Sequence, residues 1–162
     1  FVTPITNKSE EFAAMQVPNT LFGAGMTSKL FMNVREKMSL CYSIGSGYYG
    51  SKGIMTVSAG IDTAKEDVTR QEILRQLDAC RGGDISAQEL KAAKEAILSG
   101  LRGVHDSPGA IENFHGTAAI SGFPMTVPEY MAAVEAVTAE EAAQAARSLT
   151  LHSSFFLKGV AV

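Results

Sequence analysis

Residues 23–48 read Gly-Ala-Gly-Met-Thr-Ser-Lys-Leu-Phe-Met-Asn-Val-Arg-Glu-Lys-Met-Ser-Leu-Cys-Tyr-Ser-Ile-Gly-Ser-Gly-Tyr, and the hydrophobic period changes partway through them. Gly23 and Gly25 mark a helix stop, because glycine accepts the left-handed conformation in which helices end. Thr27 or Ser28 can cap a second helix, in which Leu30, Phe31, Val34 and Met38 recur at helical spacing. From residue 40 the spacing drops to two, with Tyr42, Ile44 and Tyr48 on one alternating set. Gly50 to Gly53 is turn chemistry, and beyond it Met55, Val57, Ala59 and Ile61 alternate with Thr56, Ser58 and Gly60. Two period-two runs about a Gly-rich turn predict an antiparallel hairpin. Its glycine-rich part, Gly45 to Gly53, reads either as a tolerant turn or as a rim that contacts a partner.

Outward from this stretch the pattern is mostly helical. Residues 1–8 read as an incoming linker. A helix from Ser9 carries Phe12, Met15, Leu21 and Phe22, with a kink or break expected at Pro18. Downstream, Thr63 with Glu66, Ser86 with Glu89, and Thr138 with Glu141 obey the capping-box rule, and each predicts a helix start. Further helices are expected near Ser107-Pro108 and Pro128. Ser153 to Leu157 reads as a closing strand. Strands and helices are segregated, which predicts an α+β domain, an antiparallel sheet with helices packed on one face. Three strands are few for this much helix. A chain that opens on Phe1 therefore reads as a piece of a longer protein, lacking the first strands of its sheet.

Composition narrows the function. A length of 162 residues fits one domain, 1–162, and 46% hydrophobic against 19% charged residues is enough for a core. Fourteen Lys+Arg against seventeen Asp+Glu leave a net charge of −3, which argues against nucleic acid as a partner. Apolar runs are too short to span a membrane. Two cysteines, Cys41 and Cys80, read as buried thiols of a reducing, cytoplasmic compartment. His105, His115 and His152 form no metal-ligand spacing. Gly45-Ser-Gly-Tyr-Tyr-Gly50 matches a dinucleotide fingerprint in letters, but a turn and a strand follow where the cofactor needs a helix N-terminus.

Thr27-Ser-Lys-Leu-Phe31 and Arg35-Glu-Lys-Met-Ser-Leu-Cys-Tyr-Ser43 closely resemble the signature of the pitrilysin/insulinase-type zinc metallopeptidases, the inverzincins, which include the mitochondrial processing peptidases. The Ile85 to Lys94 and Val137 to Glu141 stretches fit the same family. Such peptidases are built from two related halves, one of which carries H-x-x-E-H and zinc. This chain lacks that motif and keeps the Arg-x6-Tyr pair, so it resembles the non-zinc, processing-peptidase-like half. The resemblance implies no cofactor in this domain and zinc in a partner half, on the same chain or a separate subunit. It also implies a peptide substrate, contacted through Arg35 and Tyr42, with no catalytic residue on this chain alone. An arginine and a tyrosine can donate hydrogen bonds to a peptide carbonyl and to the oxyanion formed from it. Without the resemblance, Arg35 reads as an ion-pair partner and Tyr42 as a sheet tyrosine. An alternative for the whole is a peptide-binding or structural subunit of a pair that does not cleave. Ser39 stands where the family usually has glycine, and Cys41 where it has a small residue.

Overall fold

The computed structural model describes residues 1–159. Helix α1 (Phe12–Asn19) runs directly into wide π-type turns at Thr20–Ala24, and a second π-type helix spans Leu30–Lys37. Strands β1 (Cys41–Tyr49) and β2 (Ile54–Ile61) follow. Then come α2 (Glu66–Arg81), α3 (Ala87–Arg102), α4 (Pro108–Ser121), α5 (Val127–Ala136) and α6 (Ala139–Arg147). β1 and β2 form an antiparallel two-stranded sheet with Tyr49 opposite Ile54 and a register shift between Cys41 and Ser43. This is the α+β layout that the segregated patterns predict.

α1 is the hub and packs against α3, α5 and α6. It carries Phe12, Met15 and Val17 into the core beside Leu30, Val34, Met55, Leu77 and Val134. α6 buries Ala142, Ala143, Ala145 and Ala146, and small side chains let its backbone lie close to its neighbours. Phe12 is ringed by Tyr48, Phe123 and Tyr130 at centroid distances of 6.0, 5.2 and 5.6 Å. The Tyr48 hydroxyl donates to the Ile5 carbonyl at 2.6 Å, and burial pushes its pKa up to about 12.

Several expectations change. Pro18 lies inside α1, which ends one residue later at Asn19 and passes into the π-type turns at Thr20–Ala24; Val17 and Pro18 are both buried. Packing of this face outweighs the local penalty, about 3 kcal/mol for an interior proline. Thr63 and Glu66 form no capping box. Thr63–Lys65 is a 3₁₀ turn capped by Asp62, whose carboxylate accepts from the Ala64 amide at 3.0 Å, while Glu66 pairs with Arg70. The boxes at Ser86 and Thr138 form, and a third occurs at Thr126 with Glu129. Residues 1–8, read as a linker, are packed: Ile5 and Asn7 are buried, and Val2 bridges both Ile54 and Thr150. The Gly50–Gly53 turn is held by the same segment, since Asn7 donates to the Gly50 carbonyl and Thr3 to that of Gly53. Ser153 to Leu157 is not a strand. Residues 151–159 carry no regular structure, because only Thr150 finds a backbone partner in Val2.

Candidate functional site

The site is built where the Leu30–Lys37 helix turns into β1. Leu30 and Val34 are fully buried and anchor the helix. Ser28 caps it, its hydroxyl accepting from the Phe31 amide at 3.3 Å. The end is a tight reversal: the Met38 amide donates to the Asn33 carbonyl, Ser39 to Arg35, and Leu40 to Val34, at 3.0–3.1 Å. Ser39 takes a left-handed φ of 50°, the conformation glycine usually supplies there. Lys65 fastens the turn by donating to the Ser39 carbonyl at 2.8 Å.

This reversal puts Arg35, from the last helical turn, and Tyr42, from the first strand residues, on the wall of one cleft of 430 Å³. Glu36, Ser39, Asp62 and Lys65 share that wall. The guanidinium of Arg35 lies 4.7 Å over the Phe31 ring, which fixes its direction. Among the described residues its one carboxylate contact is to Glu36 at 3.6 Å, between side chains 40% and 51% exposed, and a pair that wet contributes little. Tyr42 is 77% exposed, and its hydroxyl has no hydrogen-bond partner among the described residues. Arg35 and Tyr42 therefore keep donors free towards the cleft, while Asp62 and Lys65 each also hold the local fold through one bond.

Cys41 lines the same cleft and is only partly buried. Burial raises its thiol pKa, and this outweighs the opposite pull of Arg35 and Lys65, so it is not a ready nucleophile. Cys80 is deep in the core and pushed up to about 12, chiefly by burial. His105, His115 and His152 are all exposed, and among the described residues no group of three or more His, Cys, Asp or Glu side chains is placed to hold a metal ion. Gly45 to Gly50 runs through β1 into the turn, with no helix N-terminus to take a phosphate.

Sequence reading missed the contact that braces the helix carrying Arg35. Lys29 is almost fully buried and donates to Glu89 at 2.8 Å, with Asp84 at 3.9 Å. Lys29 belongs to the Thr27–Phe31 motif and Glu89 to the Ile85–Lys94 motif. The two stretches that carry the family resemblance are thus joined by one ion pair. A basic residue followed directly by two apolar ones, Lys29-Leu30-Phe31, was the available signal.

A family profile described as the Peptidase M16 inactive domain matches residues 1–97. The chain belongs to that family, as an inactive domain of its zinc-protease type. It is 32% identical over 157 residues to a Bacillus subtilis protein named "Probable inactive metalloprotease YmfF", covering 97% of this chain and 37% of that one. It is 30% identical over 140 residues to "Uncharacterized zinc protease SCO5738" of Streptomyces coelicolor, covering 84% of this chain and 30% of that relative. The chain thus spans roughly a third of the curated relatives it matches. Among solved structures, a conserved protein from Enterococcus faecalis V583 superposes with TM-score 0.83 at 32% identity, over 91% of this chain and 35% of the other. A peptidase M16 inactive domain from Pseudomonas fluorescens has the same fold, with TM-score 0.78 at 20% identity, over 91% and 36%. No helix among the described residues is long and apolar enough to cross a membrane.

Proposed function

We propose that this domain is the substrate-binding wall of a two-part zinc peptidase. Arg35 and Tyr42 contact the peptide, and zinc is held by a separate half, on the same polypeptide or another subunit. The observation that supports this reading is the pair itself: two donors, otherwise unspent, on the wall of one cleft beside a reversal that fixes their spacing. Arg35 donates to a peptide carbonyl and Tyr42 to the same group or its neighbour. Both bonds strengthen if that oxygen gains negative charge. In this reading the cleavage chemistry belongs to the other half.

The test is Arg35→Ala and Tyr42→Phe in the parent protein, assayed with its zinc-bearing half on a fluorogenic peptide. Each lost bond to a charged oxygen removes about 1.5–3 kcal/mol, or roughly 10- to 100-fold in kcat/KM. Melting temperature stays within a degree or two, because neither side chain is in the core. Unchanged turnover per folded molecule, with a lowered melting temperature, would overturn the assignment.

A second reading is favoured by the name of the Bacillus subtilis relative, an inactive metalloprotease. In a pair whose zinc half is also degenerate, the same two donors hold a peptide without cutting it. Peptide binding in the absence of cleavage, lost in Arg35→Ala, distinguishes this case.

A further inference from the structure

Of the chain's eight Phe and four Tyr side chains, six line one cleft of 1090 Å³ at the hairpin-turn end of the molecule. They are Phe12, Tyr48, Tyr49, Phe114, Phe123 and Tyr130, and the cleft lies between residues 6–8, the turn at 50–52 and α4. Phe123 meets Tyr130 at 5.2 Å and Phe114 at 6.2 Å, both edge-on, which makes an aromatic floor. The space stays open because α4 stands off the body. None of its residues is buried, and its end is tied down where Asn7 Nδ2 donates to the Ser121 carbonyl at 3.0 Å. This cleft is not that of Arg35 and Tyr42. It starts on β1 at Tyr48, and six residues of strand from Tyr42 span about 20 Å.

The charge on this wall has one sign. Lys8 and Lys52 line it and no Asp or Glu does, in a chain whose net charge is −3. Neither ammonium forms an ion pair among the described residues. The Lys8 stem crosses Gly122, the left-handed C-cap of α4, so closely that a Cβ there would fall 2.7 Å from Lys8 Cε. Lys52 is carried by the turn, which its amide closes by donating to the Tyr49 carbonyl at 3.0 Å. Tyr130 is 8% exposed, yet its hydroxyl has no hydrogen-bond partner among the described residues, where a buried phenol usually finds one. An aromatic floor, a buried donor left unspent and two cations without counter-charge fit one kind of ligand, an apolar body with a single negative group.

We infer that the cleft binds the free C-terminus of a peptide that ends in a large apolar residue. Its carboxylate pairs with Lys8 and Lys52, its last side chain lies on the aromatic floor, and Tyr130 supplies a donor from that floor. A small aryl or alkyl acid has the same two features and is the rival occupant. Room and lining favour the peptide. The cleft is at the top of the range for small-ligand pockets, about 300–1,000 Å³, so one ring and a carboxylate leave much of it empty. Thr6, Asn113 and Thr117 on the same wall offer donors and acceptors to peptide amides, which an aryl acid leaves unused.

Isothermal titration calorimetry on the parent polypeptide tests this, with N-acetyl-Ala-Phe as the free acid, the same dipeptide as its C-terminal amide, and 3-phenylpropionate. Binding is read without cleavage, so the outcome is independent of Arg35 and Tyr42. The acid should bind at least 10-fold more tightly than the amide. Lys52→Gln, in an exposed turn, should weaken the acid about 10-fold and leave the amide unchanged. Tyr130→Phe, which keeps the packed ring, should weaken the acid about 5-fold with the melting temperature held. Equal binding of acid and amide overturns the proposal, as does no saturable binding by about 5 mM. Acid binding that Lys52→Gln does not touch puts the carboxylate elsewhere in the parent and overturns it too. Phenylpropionate binding as tightly as the dipeptide acid gives the cleft to a small acid and refutes the peptide.

Discussion

Replacing Glu89 by glutamine in the parent chain isolates the contact that joins the two family motifs. Glutamine keeps the shape of the side chain and the carbonyl that completes the Ser86 capping box. What it removes is the charge facing Lys29, whose side chain is 7% exposed against 30% for Glu89. Removing one member of a fully buried pair costs about 3–5 kcal/mol. Here Asp84 remains 3.9 Å from the ammonium, and the pair is open on the Glu89 side. The expected loss is therefore about 2–3 kcal/mol, or roughly 5–10 °C in melting temperature for a domain of this size. Lys29→Met keeps the buried stem and leaves Glu89 on the Ser86 amide and hydroxyl and on water, so about 1 kcal/mol is expected.

The pH dependence has a definite sign. Burial pushes the Glu89 carboxyl up, but the Lys29 ammonium and the Ser86 bonds together outweigh it and hold the group below the ordinary carboxylate range. A depressed folded pKa means that the contribution is complete above the unfolded value, about 4.3. It is lost as pH falls through the folded value. Urea unfolding followed by circular dichroism at pH 7 and pH 3.5 reads both effects. The Glu89→Gln penalty should be full at pH 7 and smaller at pH 3.5. Losses below about 0.5 kcal/mol for both variants at pH 7 would refute the bracing role.

Two further predictions concern the backbone around the site. Ser39→Gly relieves a left-handed residue worth about 1 kcal/mol, partly offset by the freedom of glycine in the unfolded chain. A net gain of about 0.5 kcal/mol is expected, whereas Ser39→Val loses about 1–2 kcal/mol, since a β-branched residue fits φ of 50° poorly. The order Gly, Ser, Val in thermal unfolding checks this. Gly53→Ala adds a methyl group at φ 60° directly against the Thr3 carbonyl, so a loss of about 2 kcal/mol or more is expected. It should also bring faster exchange of the Thr3 amide, which donates to Gly53 at 2.8 Å.

Much of the fold was legible locally. The change of period at residue 40 predicts the hairpin, and its strands run Cys41–Tyr49 and Ile54–Ile61. Ser86 and Thr138 carry their own capping instructions within four residues, and both boxes form. At Pro18 the chain stays helical because the burial of Val17 and Phe22 beside it offsets a local penalty, and the α-helix gives way to π-type turns two residues later. Thr63 misled because Asp62, one residue earlier, takes the capping position and accepts from the Ala64 amide. The site divides in the same way. The Arg35-to-Tyr42 spacing could be read from the chain, but the exposure of both side chains and the cleft they line could not.

The sequence by itself determined the periods, the caps, the turn residues and the motif that places the chain in the M16 family, because each rests on neighbours within a few positions. Only the tertiary structure decided that Lys29 meets Glu89, and that residues 1–8 are packed rather than loose. It also decided that Ser153 to Leu157 stays unpaired while Val2 reaches Thr150. The physical reason is shared. A buried ammonium and an unsatisfied strand edge are each resolved by whichever group lies near in space, and closing that distance depends on packing between segments far apart along the chain.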